Sequence, residues 1–123
     1  MKPKNSKSNT SKTLQPSEEQ FQEQVVDLAT RLGWRIAHFR SVRVQRKDGS
    51  IYYATPVQAD GEGFPDLLML NGTKLLVAEL KADAGRLTPE QYEWLRAFSY
   101  ITPYVYLWKP DDILEIQVVL QRG

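Results

Sequence analysis

The chain has no cysteine and a single histidine, His38, in 123 residues. Without cysteine there are no disulfides and no thiolate zinc site, a composition that fits a cytoplasmic protein. One imidazole cannot build a histidine-rich metal centre or a histidine–metal nuclease motif. Any metal must then be held mainly by oxygen, which favours magnesium or manganese over zinc. Long apolar runs are also lacking: no stretch approaches the ~20 residues of a bilayer-spanning helix, so no membrane association is expected. The N-terminal lysines are followed by no apolar segment, which argues against a secretory signal. Acid is missing from residues 1–16, where Lys2, Lys4, Lys7 and Lys12 sum to +4; the remainder holds twelve basic and fifteen acidic side chains, a sum of −3. A pure nucleic-acid-binding module is ordinarily basic in its folded body. An acidic body suits a site that gathers cations.

What is present fits one globular domain with one core, at 41% hydrophobic and 25% charged residues. Residues 1–16 show no hydrophobic period and are expected to form a disordered basic tail, either an arm on a nucleic-acid backbone or a solvated terminus. Residues 17–123 are expected to form a single domain. Ser17-Glu18-Glu19-Gln20 reads as a capping box that opens a helix, with Phe21, Val25, Leu28, Ala29 and Leu32 as its apolar stripe and Gly33 as its stop. Trp34 to Arg40 reads as a strand. Ser41 to Glu62 is polar and irregular, with a turn at Lys47-Asp48-Gly49-Ser50 and a short strand around Ile51 to Ala54. Thr88-Pro89-Glu90-Gln91 opens a second helix with Thr88 as N-cap and Pro89 at N1, and Tyr92, Leu95 and Phe98 or Ser99 continue its inner face. Pro103 to Trp108 is a further strand. Pro110 begins a last helix with Ile113, Ile116, Val119 and Leu120 buried. The expected order is α-β-β-β-α-β-α.

The chemistry concentrates in Gly63-Phe64-Pro65-Asp66-Leu67 and, twelve residues after Leu67, Glu79-Leu80-Lys81. Asp66 begins an apolar run, Asp66-Leu67-Leu68-Met69-Leu70, and Leu75-Leu76-Val77-Ala78-Glu79-Leu80-Lys81 forms the next. Both read as core strands, and Asn71-Gly72 between them is a hairpin signal. Strand alternation puts Glu79 and Lys81 on one face and Leu80 on the other, toward the core. The hairpin brings Asp66 near them. Two carboxylates and a lysine at one end of a sheet form a divalent-metal phosphodiesterase site. Helical geometry sets Glu18 at the edge of the first helix's apolar stripe and turns Glu19 and Glu23 to water.

Together these residues resemble the PD-(D/E)xK nucleases, specifically the virus-type replication-repair nuclease (VRR-NUC) branch. The resemblance runs from Ser17-Glu18-x-x-Phe21-Gln22-x-Gln24-Val25-Val26 and Leu32-Gly33-Trp34 through the Asp66 and Glu79-x-Lys81 strands. It continues to Arg86-Leu87-Thr88-Pro89-Glu90-Gln91 and Val105-Tyr106-Leu107-Trp108-Lys109-Pro110. It implies an α/β, restriction-endonuclease-like fold, a central mixed sheet flanked by helices. It also implies Mg²⁺- or Mn²⁺-dependent cleavage of DNA, often branched, junction or flap DNA, by a homodimer in a bacterial or phage-infected cell.

In that pattern Asp66 and Glu79 bind the metal, with the Leu80 backbone carbonyl as a further ligand and Glu18 completing the acidic cluster. Lys81 orients the attacking water and stabilises the phosphate. Glu18 has a second reading as a helix-dipole acid. Gln91 is either a site residue or the N3 member of its capping box. His38, Arg40, Arg43, Arg46, Lys47 and Arg86 are candidate DNA contacts; singly each reads as a surface charge, and Arg40 to Lys47 together form a DNA-contacting loop. Tyr52 and Tyr53 read as strand packing in preference to base stacking. Two other functions stay open: a non-catalytic binding module on a nuclease fold, and a hydrolase acting on RNA.

Overall fold

The structure, a computed structural model, describes residues 16–39, 42–54 and 57–123. The expected tail, apart from Pro16, and Arg40 lie outside the described residues. The elements are α1 (Glu18–Arg31), β1 (Arg35–His38), β2 (Val42–Gln45), β3 (Ile51–Ala54), β4 (Leu67–Asn71), β5 (Lys74–Leu80), α2 (Pro89–Ser99), β6 (Tyr104–Trp108), a 3₁₀ turn (Pro110–Asp112) and α3 (Ile113–Gln121).

Local chemistry sets the ends of the first two helices. The Ser17 hydroxyl accepts from the Gln20 amide at 3.1 Å, and Gln20 Oε1 accepts from the Ser17 amide at 3.0 Å. Thr88 and Gln91 repeat the box at 3.1 and 2.9 Å, with Pro89 at N1 where its missing N–H goes unmissed. Gly33, at φ 89°, follows the end of α1.

β1, β4, β5 and β6 form a four-stranded mixed sheet in the order β1-β4-β5-β6. The first three are antiparallel to their neighbours, and β6 runs parallel to β5. A parallel pair needs a crossover, and α2 supplies it. The β4–β5 loop is Gly72-Thr73, closed by the Asn71–Lys74 pair, with Gly72 at φ 61° as such short loops require. Strand alternation turns Leu76, Ala78 and Leu80 toward Phe21, Val25 and Ala29 of α1 and Ile116 and Leu120 of α3, with Trp108 in the same core. Trp34 joins this core and donates to the Leu120 carbonyl at 2.9 Å, tying the start of β1 to α3. Val77 and Glu79 face the other side, where α2 packs against β5 and β6.

Phe64 is the hub of a second cluster. Its ring meets Phe39, Trp94 and Phe98 edge-on at centroid distances of 5.0, 4.9 and 6.0 Å. Trp94 also donates to the Glu62 carbonyl at 3.0 Å. These contacts clamp the segment leading into Asp66 between the end of β1 and α2.

Two expectations need correction. The turn near residues 47–50 and the strand at Ile51–Ala54 are as expected, but Val42–Gln45 is a further strand: β2 and β3 pair antiparallel into a two-stranded ribbon, so the order is α-β-β-β-β-β-α-β-α. The alternation Val42-Arg43-Val44-Gln45 is that of a strand, masked by the flanking charge. Tyr92 is not on the inner face of α2; it is 59% exposed. The inward positions are Gln91, Trp94, Leu95 and Phe98, so Leu95 and Phe98 face inward as expected and Gln91 and Trp94 take the place of Tyr92.

Gly63, at φ 78°, shows how tightly the loop sits. A Cβ there would lie 2.7 Å from the Gln91 backbone nitrogen and from Glu90. Gly72 has a similar φ but open space around it. Gly63→Ala should therefore destabilise by ~3 kcal/mol, clash added to backbone strain, and Gly72→Ala by ~1 kcal/mol. Urea unfolding of both variants checks this, and equal losses would show that the loop does not press on α2.

Candidate functional site

The ladder that pairs Leu67 with Ala78 makes Asp66 and Glu79 the next opposed residues. Asp66 is held from two sides. Its carbonyl accepts from the Phe39 amide at 2.8 Å, and Oδ2 accepts from the Leu80 amide at 2.8 Å. Glu79 is 2% exposed. Its Oε2 accepts from Gln91 Nε2 at 3.0 Å and lies 3.5 Å from Lys81 Nζ. Its Oε1 is buried and accepts from no neutral or cationic donor, and the Glu79 and Asp66 carboxyls are close enough to share a hydrogen bond when one of them is protonated. The Lys81 stem is enclosed by the following turn, where a Cβ on Gly85 would come within 3.1–3.2 Å of Lys81 Cβ and Cδ.

The electrostatics follow from this burial. Desolvation pushes the Glu79 carboxyl up, to about 8 from 4.5; the Asp66 charge adds to the effect and Lys81 opposes it. Asp66 is likewise raised, to about 6 from 3.8, chiefly by burial; the Leu80 amide and a hydrogen bond with the Glu79 carboxyl oppose the shift, the Glu18 charge adds to it and Lys81 opposes it. Two adjacent buried carboxyls that resist ionisation are chemically suited to a hard divalent cation. Mg²⁺ takes oxygen ligands and commonly uses only one or two carboxylates, completing its shell with water and substrate phosphate.

The expected residues divide into three groups. Asp66, Glu79 and Lys81 are brought together as expected, and Leu80 joins through its amide while its side chain fills the core. Gln91 fills both of its alternative roles. Its Oε1 closes the α2 capping box and its Nε2 holds Glu79.

Glu18 departs from the expectation. Its charge is felt at Asp66, but it is exposed. Among the described residues no group of three or more His, Cys, Asp or Glu side chains is gathered to hold a metal. The reason is layering: α1 covers the Leu80 face of the sheet, and Glu79 lies on the opposite face.

The candidate DNA contacts are dispersed. His38 ends β1 and its Nε2 lies 3.2 Å from Gln22 Oε1. Arg43 lies in β2, and Arg46 and Lys47 at the ribbon's tip, all exposed, so the expected contact loop is a strand and a turn. Arg46 stacks its guanidinium 4.1 Å over the Tyr52 ring. Arg86 is exposed in the turn after Lys81. Strand packing does not describe Tyr53, which is 68% exposed.

Sequence reasoning gave Gln22 no role. It is a buried polar residue of α1, and its position three residues before Val25, on the apolar stripe, was the available signal. Compared with known protein families, with curated proteins and with solved structures, the chain matches none.

Carboxyls raised in the folded state bind protons more tightly there than in the unfolded chain. Their stabilising contribution is fully present below about pH 4 and is lost as pH rises through about 6 and then 8. In EDTA the melting midpoint should therefore fall between pH 5 and 8.5. Glu79→Gln should flatten most of that slope, and millimolar Mg²⁺ should raise the wild-type midpoint at pH 8.5. A wild-type profile as flat as that of Glu79→Gln would reject the buried-pair assignment.

Proposed function

We propose that this protein is a Mg²⁺- or Mn²⁺-dependent endonuclease of the restriction-endonuclease-like, VRR-NUC type, hydrolysing phosphodiester bonds in branched DNA. The observation that carries the reading is Glu79. A carboxyl buried on an apolar strand beside a second carboxyl resists ionisation, and a divalent cation held by the two would favour the charged pair.

In this reading Asp66 and Glu79 hold the cation, with the Leu80 carbonyl available as a third protein ligand. When bound, the cation polarises a phosphoryl oxygen and makes a site water more acidic. The Leu80 amide fixes the Asp66 carboxylate, and Gln91 fixes that of Glu79, so neither has to reorganise during the reaction. Lys81 reaches the same face as Glu79. Its ammonium orients the attacking water and balances the negative charge that builds on the scissile phosphate. Glu18, exposed at the start of α1, contributes through its charge, which is felt at Asp66. Cutting two strands of a junction calls for two copies of the site, which a two-fold dimer provides.

The test uses labelled duplex, flap, four-way junction and RNA with Mg²⁺, Ca²⁺ or EDTA. Branched DNA should be cut with Mg²⁺ and remain intact in EDTA, and Asp66→Ala and Glu79→Ala should each abolish cutting with the fold retained. Lys81→Met keeps the aliphatic stem and removes the charge. It should bind DNA in Ca²⁺ nearly as wild type, yet lose a factor of about 100 or more in single-turnover rate. Cleavage in EDTA after metal stripping, or a Lys81→Met variant that cuts normally, would overturn the reading.

A further inference from the structure

Among the described residues the β2–β3 ribbon pairs with no other strand, and it carries a surface that the site chemistry does not use. Ile51, Tyr52 and Tyr53 are 44%, 37% and 68% exposed. The antiparallel register sets Arg43 opposite Tyr53. Opposed residues share a face with Cβ atoms ~5 Å apart, so a guanidinium and a phenol ring stand side by side toward solvent. The neighbouring aromatic is differently placed, because the Arg46 guanidinium already covers the Tyr52 ring. The turn is ordered: the Arg46 amide donates to the Ser50 carbonyl at 2.8 Å, and Asp48 accepts from the Ser50 amide and hydroxyl at 2.9 and 2.7 Å. Arg43, Arg46 and Lys47 against Asp48 leave the ribbon positive on a body whose net charge is negative.

We propose that the ribbon is a clamp for unpaired nucleotides: Tyr53 stacks on an exposed base and Arg43 holds the adjoining phosphate. The placement of that strand next to the scissile bond rests on the nuclease reading above. The chain itself limits the distance. The Phe39 amide is bonded to the Asp66 carbonyl. Arg43 follows Phe39 by four residues, so its backbone lies no more than ~14 Å from that point. The Arg43–Tyr53 pair is thus near the ribbon's root, one pair from the Val42–Ala54 end, and not at its tip.

The occupant follows from chemistry. A cationic surface bearing an exposed flat ring matches a polyanion that offers flat rings, which is single-stranded nucleic acid. A paired duplex keeps its base faces stacked and would engage only the cations. A second copy of the ribbon would set arginines against arginines. The ribbon is therefore assigned to the unpaired part of a nucleic acid, not to its paired part.

Anisotropy titrations in Ca²⁺ test this with two DNAs of one sequence, fully paired and bearing an unpaired arm. Tyr53→Ala should weaken binding to the armed DNA about 5- to 100-fold, the loss of one stacked base, and leave the duplex within about two-fold. Tyr53→Phe should bind as wild type. Arg43→Ala should weaken the armed complex and reduce its salt slope by about 1. The clamp is overturned by equal losses on both DNAs, by no loss, by wild type binding neither, or by sedimentation showing that Tyr53→Ala breaks a dimer. Binding is read without cutting. A wild type that fails to cleave in Mg²⁺ thus sinks the nuclease reading alone, and unchanged binding by Tyr53→Ala in an active enzyme sinks the clamp alone.

Discussion

In the β4–β5 hairpin Leu67 stands opposite Ala78, which leaves Asp66 and Glu79 as the next pair along. The side-chain period of a strand is two, so this register decides both faces of the sheet at once. It sends Leu67, Met69, Leu76, Ala78 and Leu80 into the core under α1 and α3, and turns Glu79 to the α2 side. A slip of one residue would drive Glu79 into the core and expose the leucines. The two-residue loop with Gly72 at φ 61° excludes that slip, because its length fixes which residues oppose each other. The apolar core and the acidic site are consequences of one hairpin and cannot be altered separately.

The hairpin brings together groups that disfavour one another. Glu79 has an amide donor at 3.0 Å, an ammonium at 3.5 Å, long for a charge-assisted contact, and a second buried carboxyl, that of Asp66, beside it. Its raised proton affinity is the molecule's own response to an environment that does not fully stabilise the charge. Such a conflict between local chemistry and global fold is uncommon in a sequence selected for stability alone and concentrates where a protein acts. The aromatic hub at Phe64 and the crowded Gly63 hold the segment before Asp66 in place, so the strain cannot relax by loop movement.

Much of this was legible in the sequence because it rests on short-range rules. Capping boxes at Ser17 and Thr88, the loop at Gly72, and strand alternation around Glu79 each involve residues within four positions of one another. What escaped depends on distant partners. The strand over Val42–Gln45 escaped because its only apolar residues, Val42 and Val44, stand among charges, and its pairing with the expected strand at Ile51–Ala54 is not a local feature. Tyr92 reads as an inner residue until the Gln91–Glu79 bond fixes how α2 is rotated about its axis. Glu18 has the angular position of a site residue on α1, yet the face on which α1 lies keeps it from the Glu79 side. Helical periodicity gives a direction about one axis and says nothing about the layer to which that axis belongs.

Gln91 shows how local and distant demands meet in one side chain. The primary amide has an acceptor end and a donor end, and both are engaged: Oε1 by the Thr88 amide, Nε2 by Glu79. Glutamate would cap the helix equally well but would set a third carboxylate against Glu79. Asparagine is a methylene too short to span from the helix N-terminus to the strand. The choice of residue at this position is thus made by two elements of structure together. The first turn of α2 is also the brace of the acidic pair, so the crossover that makes β5 and β6 parallel sets the geometry of the site.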